Sequence, residues 1–302
     1  MIEDMPTSDH WVVASDGVGL HAESTGSGTA ILFIHEFAGD HRSWEPQVRS
    51  FSRVHRCVTY AARGYPPSDV PAETSFYSQT HAVSDAIAVL DAMEIDRAHI
   101  VGLSMGGFCA LHLALGHPDR ALSVAIGGVG YGAPPGTAEA FQDECETIAV
   151  AFEDEGAAEV AKKYSLGPAR VQFQNKDPRG HAEFVRMLGE HSDVGSAGTM
   201  RGFQKARPSI YDFQNDMAMV EVPFLIMVGD EDEGAIEPSL MMKRYIPTAG
   251  LVVFPKTGHT LNLEEPELFH ATLAAFLSAV EAGRWEPRDP RSLSGSTTGM
   301  SD

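Results

Sequence analysis

The residues with the most direct chemical potential are Gly102-Leu103-Ser104-Met105-Gly106, between a predicted strand at 98–101 and an apolar helix from about 108 to 115. A strand-to-helix turn this tight strains its central residue, and glycines two positions before and after leave no Cβ to clash. The serine hydroxyl then projects from the edge of the sheet. The motif alone also occurs by chance, and a turn with Ser104 as a helix cap is the alternative. The flanking elements favour Ser104 as a nucleophile.

A serine hydroxyl needs a base to remove its proton. Of the 13 histidines, His259 is the best candidate, because it directly follows a predicted strand at 251–254 and so lies at the carboxyl edge of the sheet. The base in turn needs a carboxylate to fix its tautomer. Four acids follow the predicted strand at 224–228. Asp232, where the chain turns towards the histidine loop, is the predicted acid, and Asp230 is the alternative.

Nucleophilic attack on a carbonyl also requires donors for the oxyanion, and rigid backbone amides serve best. The amide of Met105 begins the predicted helix after the nucleophile, where the free donors and the helix dipole favour negative charge. A second donor is expected from His35-Glu36-Phe37-Ala38-Gly39, the loop after a predicted strand at 30–34. The amide of Phe37 is the candidate.

These residues need a scaffold, and short apolar runs alternating with helical spacing predict strands joined by crossover helices in a parallel sheet. Between 133 and 215 the pattern predicts helices without a strong strand, which indicates an insertion. We therefore expect a core at 1–132 and 216–285, a helical cap at 133–215 and a disordered tail at 286–302. Predicted helices include 138–159, whose acids indicate a solvated face, and 238–245, beginning at a proline.

The chain has 302 residues, 43% of them apolar, and a net charge of −20. A polyanion of this kind repels phosphate backbones and anionic lipids, so nucleic acid and membrane partners are not expected. The three cysteines fit neither a disulfide framework nor zinc ligands, no H-E-x-x-H pattern occurs, and no metal or other cofactor is implied. An acidic N-terminus without an export signal and the lack of a membrane span favour a cytoplasmic location. The expected partner is a small-molecule substrate, and a homodimer is left open.

The chain resembles the α/β-hydrolase superfamily over roughly residues 10–283. The resemblance rests on the serine turn, the His35–Gly39 loop, the acid loop and Gly258-His259. The resemblance implies a mostly parallel eight-stranded sheet with flanking helices and a helical cap, and a capped serine hydrolase without a cofactor. Arg63-Gly64-Tyr65-Pro66-Pro67-Ser68 is similar to a structural loop of the family. Glu36 departs from the family, which usually has glycine there. We expect its carboxylate to face solvent or pair with Arg42, and a contact with substrate is the alternative.

The cap is expected to set substrate choice, because its aromatic residues could line an apolar pocket together with residues of the core. A core within the cap itself is the alternative reading of the same aromatics. Arg201, Lys205 and Arg207 either balance the acidic cap helix, which we favour, or receive a substrate carboxylate. The predicted substrate-binding residues are Glu36, Trp44, Tyr131, Phe141, Phe203 and Tyr211, with Phe37 and Phe213 as further aromatics.

The sequence thus predicts a serine hydrolase of a carboxylic ester, or a related lactone or thioester, with an acyl-enzyme on Ser104. A carbon–carbon bond hydrolase of a ring-cleavage diketone would use the same parts and is one alternative. A ligand-binding protein that keeps the fold without turnover is another, and Glu36 is the feature that favours it.

Overall fold

The protein's structure is a computed structural model, which describes residues 7–293 and residue 298. The strands of the described chain are β1 (Ser8–Val13), β2 (Gly19–Gly26), β3 (Ala30–Ile34), β4 (Arg56–Tyr60), β5 (Ala98–Leu103), β6 (Ala121–Gly127), β7 (Phe224–Gly229) and β8 (Ala249–Phe254). They form one eight-stranded sheet in the order β1-β2-β4-β3-β5-β6-β7-β8. β2 pairs antiparallel with β1 and β4, whereas the pairs from β4 to β8 are parallel. The predicted mostly parallel sheet is confirmed.

The described chain contains twelve α-helices, and those of the core cover both faces of this sheet. The twelve are α1 (Glu45–Phe51), α2 (Gln79–Ala92), α3 (Met105–Gly116), α4 (Ala138–Glu155), α5 (Ala157–Tyr164), α6 (Val171–Lys176), α7 (Pro178–Leu188), α8 (Asp193–Thr199), α9 (Gln214–Met217), α10 (Glu233–Tyr245), α11 (Leu261–Glu264) and α12 (Pro266–Glu281). Buried residues of α2, α3 and α10 pack on one face, and those of α1 and α12 pack on the other. The predicted flanking helices are therefore present on both faces of the sheet.

Strand β3 shows why the sheet forms where the sequence predicts it. Its five residues are all buried, as a continuous apolar run in the centre of a two-sided sheet requires. Because side chains alternate along a strand, Leu32 joins the core under α3 while Ile31 and Phe33 join the core under α12. The carboxyl end of β3 is thereby fixed beside that of β5, which carries Ser104.

The chain between β6 and β7 carries α4 to α9, and its described residues include no strand. We call residues 133–215 the cap. The expected single helix at 138–159 is interrupted: Gly156 adopts a φ of 82°, so α4 ends and α5 begins at that glycine. Phe152, Phe173 and Phe184 form a buried cluster within the cap that continues into Phe37 of the core. The cap therefore packs directly on the loop that follows β3.

One predicted helix boundary is wrong, and the predicted disordered tail lies only partly within the described residues. Helix α10 begins at Glu233 instead of Pro238, because Ala235 on its first turn is completely buried and packing overrides the proline signal. Of the tail expected to be disordered, residues 290–293 form a short helical turn, and the Arg288 amide donates to the Pro247 carbonyl over 2.9 Å. Residues 294–297 and 299–302 lie outside the described residues.

Two further expectations concern the whole chain. Cys57, Cys109 and Cys145 are all free and buried. No helix within the described part of the chain has the length and apolar character needed to cross a membrane.

Candidate active site

Ser104 occupies the turn between β5 and α3 with a φ of 51° and a ψ of −113°, a strained conformation for a residue with a side chain. The two glycines predicted to permit this turn are both required sterically. A Cβ on Gly102 would lie 2.2 Å from the carbonyl oxygen of Gly106, and a Cβ on Gly106 would lie 2.0 Å from that of Ile34. Residues larger than glycine would displace the turn, which holds Ser104 at the wall of a cavity.

His259 and Asp232 lie on the loops after β8 and β7, and the structure brings them into direct contact. His259 Nδ1 is 2.8 Å from Asp232 Oδ2, and the Tyr131 hydroxyl donates to Asp232 Oδ1 over 2.8 Å. Burial of the completely enclosed Asp232 acts to raise its pKa, but His259 and the two hydrogen bonds outweigh burial and lower the pKa below its usual value. Asp232 is therefore an ionised partner for the histidine.

The alternative acid, Asp230, has a different contact. Its Oδ1 accepts from the backbone amide of Thr257 over 3.1 Å, and its own amide donates to the Phe254 carbonyl over 3.0 Å. These bonds join the loop after β7 to the loop after β8. Asp230 thus holds the turn, and Asp232 is the acid that reaches the imidazole of His259.

The amides of Phe37 and Met105 are both without a backbone acceptor among the described residues. The amide of Met105 lies at the N-terminus of α3, where the helix dipole favours negative charge. The Phe37 carbonyl accepts a hydrogen bond from the Tyr65 hydroxyl over 3.0 Å, which fixes the peptide that follows Phe37.

His35 stabilises the same loop through two hydrogen bonds. Its Nε2 accepts from the amide of Ala62 over 3.0 Å, so Nδ1 carries the proton and donates to the Glu36 carbonyl over 2.7 Å. Complete burial lowers the pKa of His35, which favours this neutral form. The ring therefore acts as a fixed support for the loop that carries Phe37.

The expectations for Glu36 are wrong, because its carboxylate faces neither solvent nor Arg42. It forms a bidentate pair with Arg170 of the cap, with Nη1 to Oε1 at 3.0 Å and Nη2 to Oε2 as the second bond. Arg170 also donates to the Thr260 hydroxyl, next to His259. Arg42 instead pairs with Asp40 and with a glutamate of the cap. The Glu36–Arg170 pair therefore connects the Phe37 loop, the cap and the histidine loop.

Replacement of Glu36 by Gln should destabilise the protein strongly. The side chains of Glu36 and Arg170 are only 3% and 4% exposed, so the variant would leave an uncompensated guanidinium in the interior. We expect the free energy of unfolding to fall by about 3 kcal/mol. The melting temperature should fall by roughly 5 °C, as measured by circular dichroism.

Glu190→Gln is the matched control for this variant, because Glu190 pairs with Arg42 where the two side chains are 43% and 39% exposed. A surface pair of this kind contributes less than about 1 kcal/mol, so its melting temperature should change by no more than about 2 °C. Equal melting temperatures for the two variants would show that the buried pair adds no stability.

Ser104 and His259 open onto a cavity of about 430 Å³ that lies between the core and the cap. Three of the predicted aromatics, Phe37, Tyr131 and Phe141, line it. The cavity is also lined by cap residues that the sequence did not single out, among them Tyr164 and Arg170. Its wall is mostly apolar and includes some polar groups, as small-molecule sites commonly do.

Besides Glu36, three predicted substrate-binding residues do not line this cavity. Trp44 is buried in the core, with its ring centroid 5.0 Å from that of Phe33. Phe203 lines a separate, smaller space beside Tyr65, and Tyr211 packs on the large core under α3. All three side chains pack in apolar clusters, but only Phe203 belongs to the cluster within the cap, as the alternative reading of the cap aromatics expects.

The basic residues 201, 205 and 207 of the cap have different partners. Arg201 and Lys205 form ion pairs with Glu146 of α4, which agrees with a role in balancing the acidic helix. Arg207 instead lines the cavity. Side-chain direction within an irregular helical segment depends on packing, so no local sequence signal separates Arg207 from its neighbours.

One group of residues outside the cavity has the types of side chain that bind metals. His21, Glu23 and His41 offer one ligand atom each, and these atoms lie within 4.8 Å of one another. None of the three lines the cavity around Ser104.

Comparisons with known proteins agree with this geometry. A family model described as alpha/beta hydrolase fold matches residues 29–266. The chain is 27% identical over 253 residues to 3-oxoadipate enol-lactonase 1 of Acinetobacter baylyi, covering 83% of this chain and 90% of that protein.

Two solved structures have closely similar folds. An enol-lactonase from Burkholderia xenovorans LB400 superposes with a TM-score of 0.78 at 24% identity, covering 89% of this chain and all of that one. A thermophilic esterase from Thermogutta terrifontis superposes with a TM-score of 0.80 at 23% identity, covering 90% and 99%. With the family model matching most of its length, the chain belongs to the alpha/beta hydrolase fold family and is a hydrolase.

Proposed function

We propose that this hydrolase cleaves a carboxylic ester, or a related lactone, of a small to medium substrate through an acyl-enzyme on Ser104. One observation carries the proposal: Ser104 and His259 line the same cavity, and His259 Nδ1 is 2.8 Å from the carboxylate of Asp232. A nucleophile, a base and an orienting acid in this arrangement are the parts that acyl transfer requires.

In the proposed reaction, Ser104 Oγ attacks the carbonyl carbon while His259 Nε2 removes the hydroxyl proton. The oxyanion that forms accepts hydrogen bonds from the amides of Phe37 and Met105. Collapse of this tetrahedral intermediate breaks the bond to the leaving oxygen, which takes the proton from His259. Water then attacks the acyl-enzyme by the same route, releasing the acid and restoring Ser104.

Two observations favour ester or lactone cleavage over the alternative functions. The relative that is 27% identical is named an enol-lactonase, which supports a lactone as one form of the substrate. Glu36 was the feature that favoured a binding protein without turnover, and its carboxylate is neutralised by Arg170 instead of opposing an oxyanion. No contact in the described residues favours carbon–carbon cleavage over ester cleavage.

Covalent labelling tests the proposed nucleophile directly. A fluorophosphonate should add one phosphonyl group to the native protein, and peptide mass spectrometry should place it on Ser104. Heat-unfolded protein is the control, because activation of the hydroxyl depends on His259 in the folded site. Labelling of another residue, or equal labelling after unfolding, would contradict the proposal.

A further inference from the structure

Three basic side chains line the cavity that contains Ser104 and His259, namely Lys163, Arg170 and Arg207. Two of them are neutralised, since Lys163 pairs with Glu155 and Arg170 pairs with Glu36. Arg207 makes no ion pair with a carboxylate of the described residues; its hydrogen bonds go to neutral oxygens. Glu144 is the one carboxylate among the residues that line the cavity; it is exposed and makes no ion pair with Arg207. Arg207 is therefore a cation of the cavity without a directly paired carboxylate in the described part of the protein.

The guanidinium of Arg207 is held in a fixed orientation. Its central carbon lies 3.7 Å from the ring centroid of Phe108 and 5.0 Å from that of Phe141. One Nη donates to the Tyr131 carbonyl over 2.8 Å, and the other donates to the Gln204 side chain. Two of its five N–H groups are used in these bonds, and the other three make no hydrogen bond with the described residues.

The electrostatic surroundings favour an anion beside this group. Burial lowers the pKa of Arg207 to about 9, so the side chain is still charged at neutral pH. A charge removed from water is costly unless an opposite charge accompanies it, and the attraction is stronger in the low dielectric of an apolar cavity. Arg201 and Lys205 lack this property, because Glu146 is 2.8 Å from each.

On the basis of the ester or lactone hydrolysis proposed above, we propose that the substrate carries a carboxylate, which Arg207 binds while the reacting carbonyl lies at Ser104. The planar guanidinium presents paired N–H groups that match the two oxygens of a carboxylate. The substrate class is thus a carboxylate-bearing ester or lactone. A wholly neutral acyl chain would leave the cation uncompensated.

Two matched esters test this specificity. p-Nitrophenyl hydrogen pimelate ends in a carboxylate, and p-nitrophenyl octanoate ends in an ethyl group at the same position of the chain. The monoesters of adipate and suberate vary the distance between the carboxylate and the reacting carbonyl. We expect the best monoester to exceed its neutral counterpart at least about tenfold in kcat/KM for the unaltered protein. A preference for the neutral ester at every chain length would overturn the inference.

Arg207→Gln should lower the ratio of kcat/KM for the carboxylate ester over the neutral ester by about 50-fold, mostly through KM. Arg207→Lys keeps the charge but loses the paired donors, so about one fifth of the ratio should remain. Lys205→Gln is the control and should leave the ratio and both rates unchanged, because Lys205 is neutralised by Glu146. An equal loss with both esters in Arg207→Gln would mean that Arg207 only supports the fold.

The failure of this inference can be told from failure of the proposed function. Ester hydrolysis that depends on Ser104 but shows no preference for carboxylate would reject the subsite and keep the serine hydrolase. Hydrolysis that is indifferent to Ser104→Ala would reject the serine hydrolase itself.

Discussion

Ser104→Ala is expected to lower kcat for p-nitrophenyl ester hydrolysis by a factor on the order of 10⁵ to 10⁶. The variant keeps His259, Asp232 and the two amides, but it removes the only oxygen of the turn that can form the acyl-enzyme. Initial rates at saturating substrate measure the effect. Alanine and serine tolerate the strained backbone at position 104 equally well. The melting temperature of the variant should therefore stay close to that of the unaltered protein.

Ser239→Ala is a suitable control for the loss of a buried serine. Ser239 is 1% exposed on α10, and its hydroxyl has no hydrogen-bond partner among the described residues. Its removal should leave kcat unchanged. If Ser104→Ala kept more than about one hundredth of the activity, a serine acyl-enzyme would no longer explain hydrolysis.

The elements that carry the candidate site could be predicted because their signals are local. The serine turn needs glycine at 102 and 106 for steric reasons that act within a few residues, and the structure shows both close approaches. The acid and histidine loops follow continuous apolar strands, and parallel strands end at one edge of the sheet. Local signals of this kind therefore place Ser104, Asp232 and His259 together.

The remaining features depend on contacts between distant parts of the chain. Glu36 and Arg170 are separated by 134 positions, and nothing near either residue identifies its partner. Trp44 is aromatic, as many residues that line pockets are, but its helical turn directs the side chain into the core beside Phe33. Such orientations are set by packing of the cap on the core, which periodicity does not describe.

The contacts between the cap and the core also give the cap a role in positioning the proposed catalytic groups. The His259 amide donates to the carbonyl of Ala169 in the cap over 2.9 Å, and a Cβ on Gly258 would lie 2.3 Å from the same oxygen. The adjacent Arg170 binds both Glu36 and Thr260. The segment at 169–170 thus fixes the histidine loop and the Phe37 loop at once, so variation of this segment should affect catalysis as well as substrate choice.

Asp232→Asn is expected to lower kcat about 10⁴-fold while the fold is retained. The Asn oxygen can still accept from the Tyr131 hydroxyl, but its NH₂ group then faces His259 Nδ1. His259 must turn that nitrogen into an acceptor and carry its proton on Nε2, where it can no longer accept the proton of Ser104. The variant thus tests both the tautomer of His259 and the need for a negative charge beside its Nδ1.

Asp230→Asn is the matched control, since Asp230 lies two residues away on the same loop and its oxygen can still accept from the Thr257 amide. This variant should keep kcat within about threefold, because no contact links Asp230 to the imidazole. Fluorophosphonate labelling rates should follow the same order, because they depend on the same activation of Ser104. Were Asp230→Asn the slower enzyme, the acid would be misassigned and the loop would have to rearrange before catalysis. If Asp232→Asn has the lower kcat, the orienting carboxylate is Asp232, and Asp230 holds the two loops together.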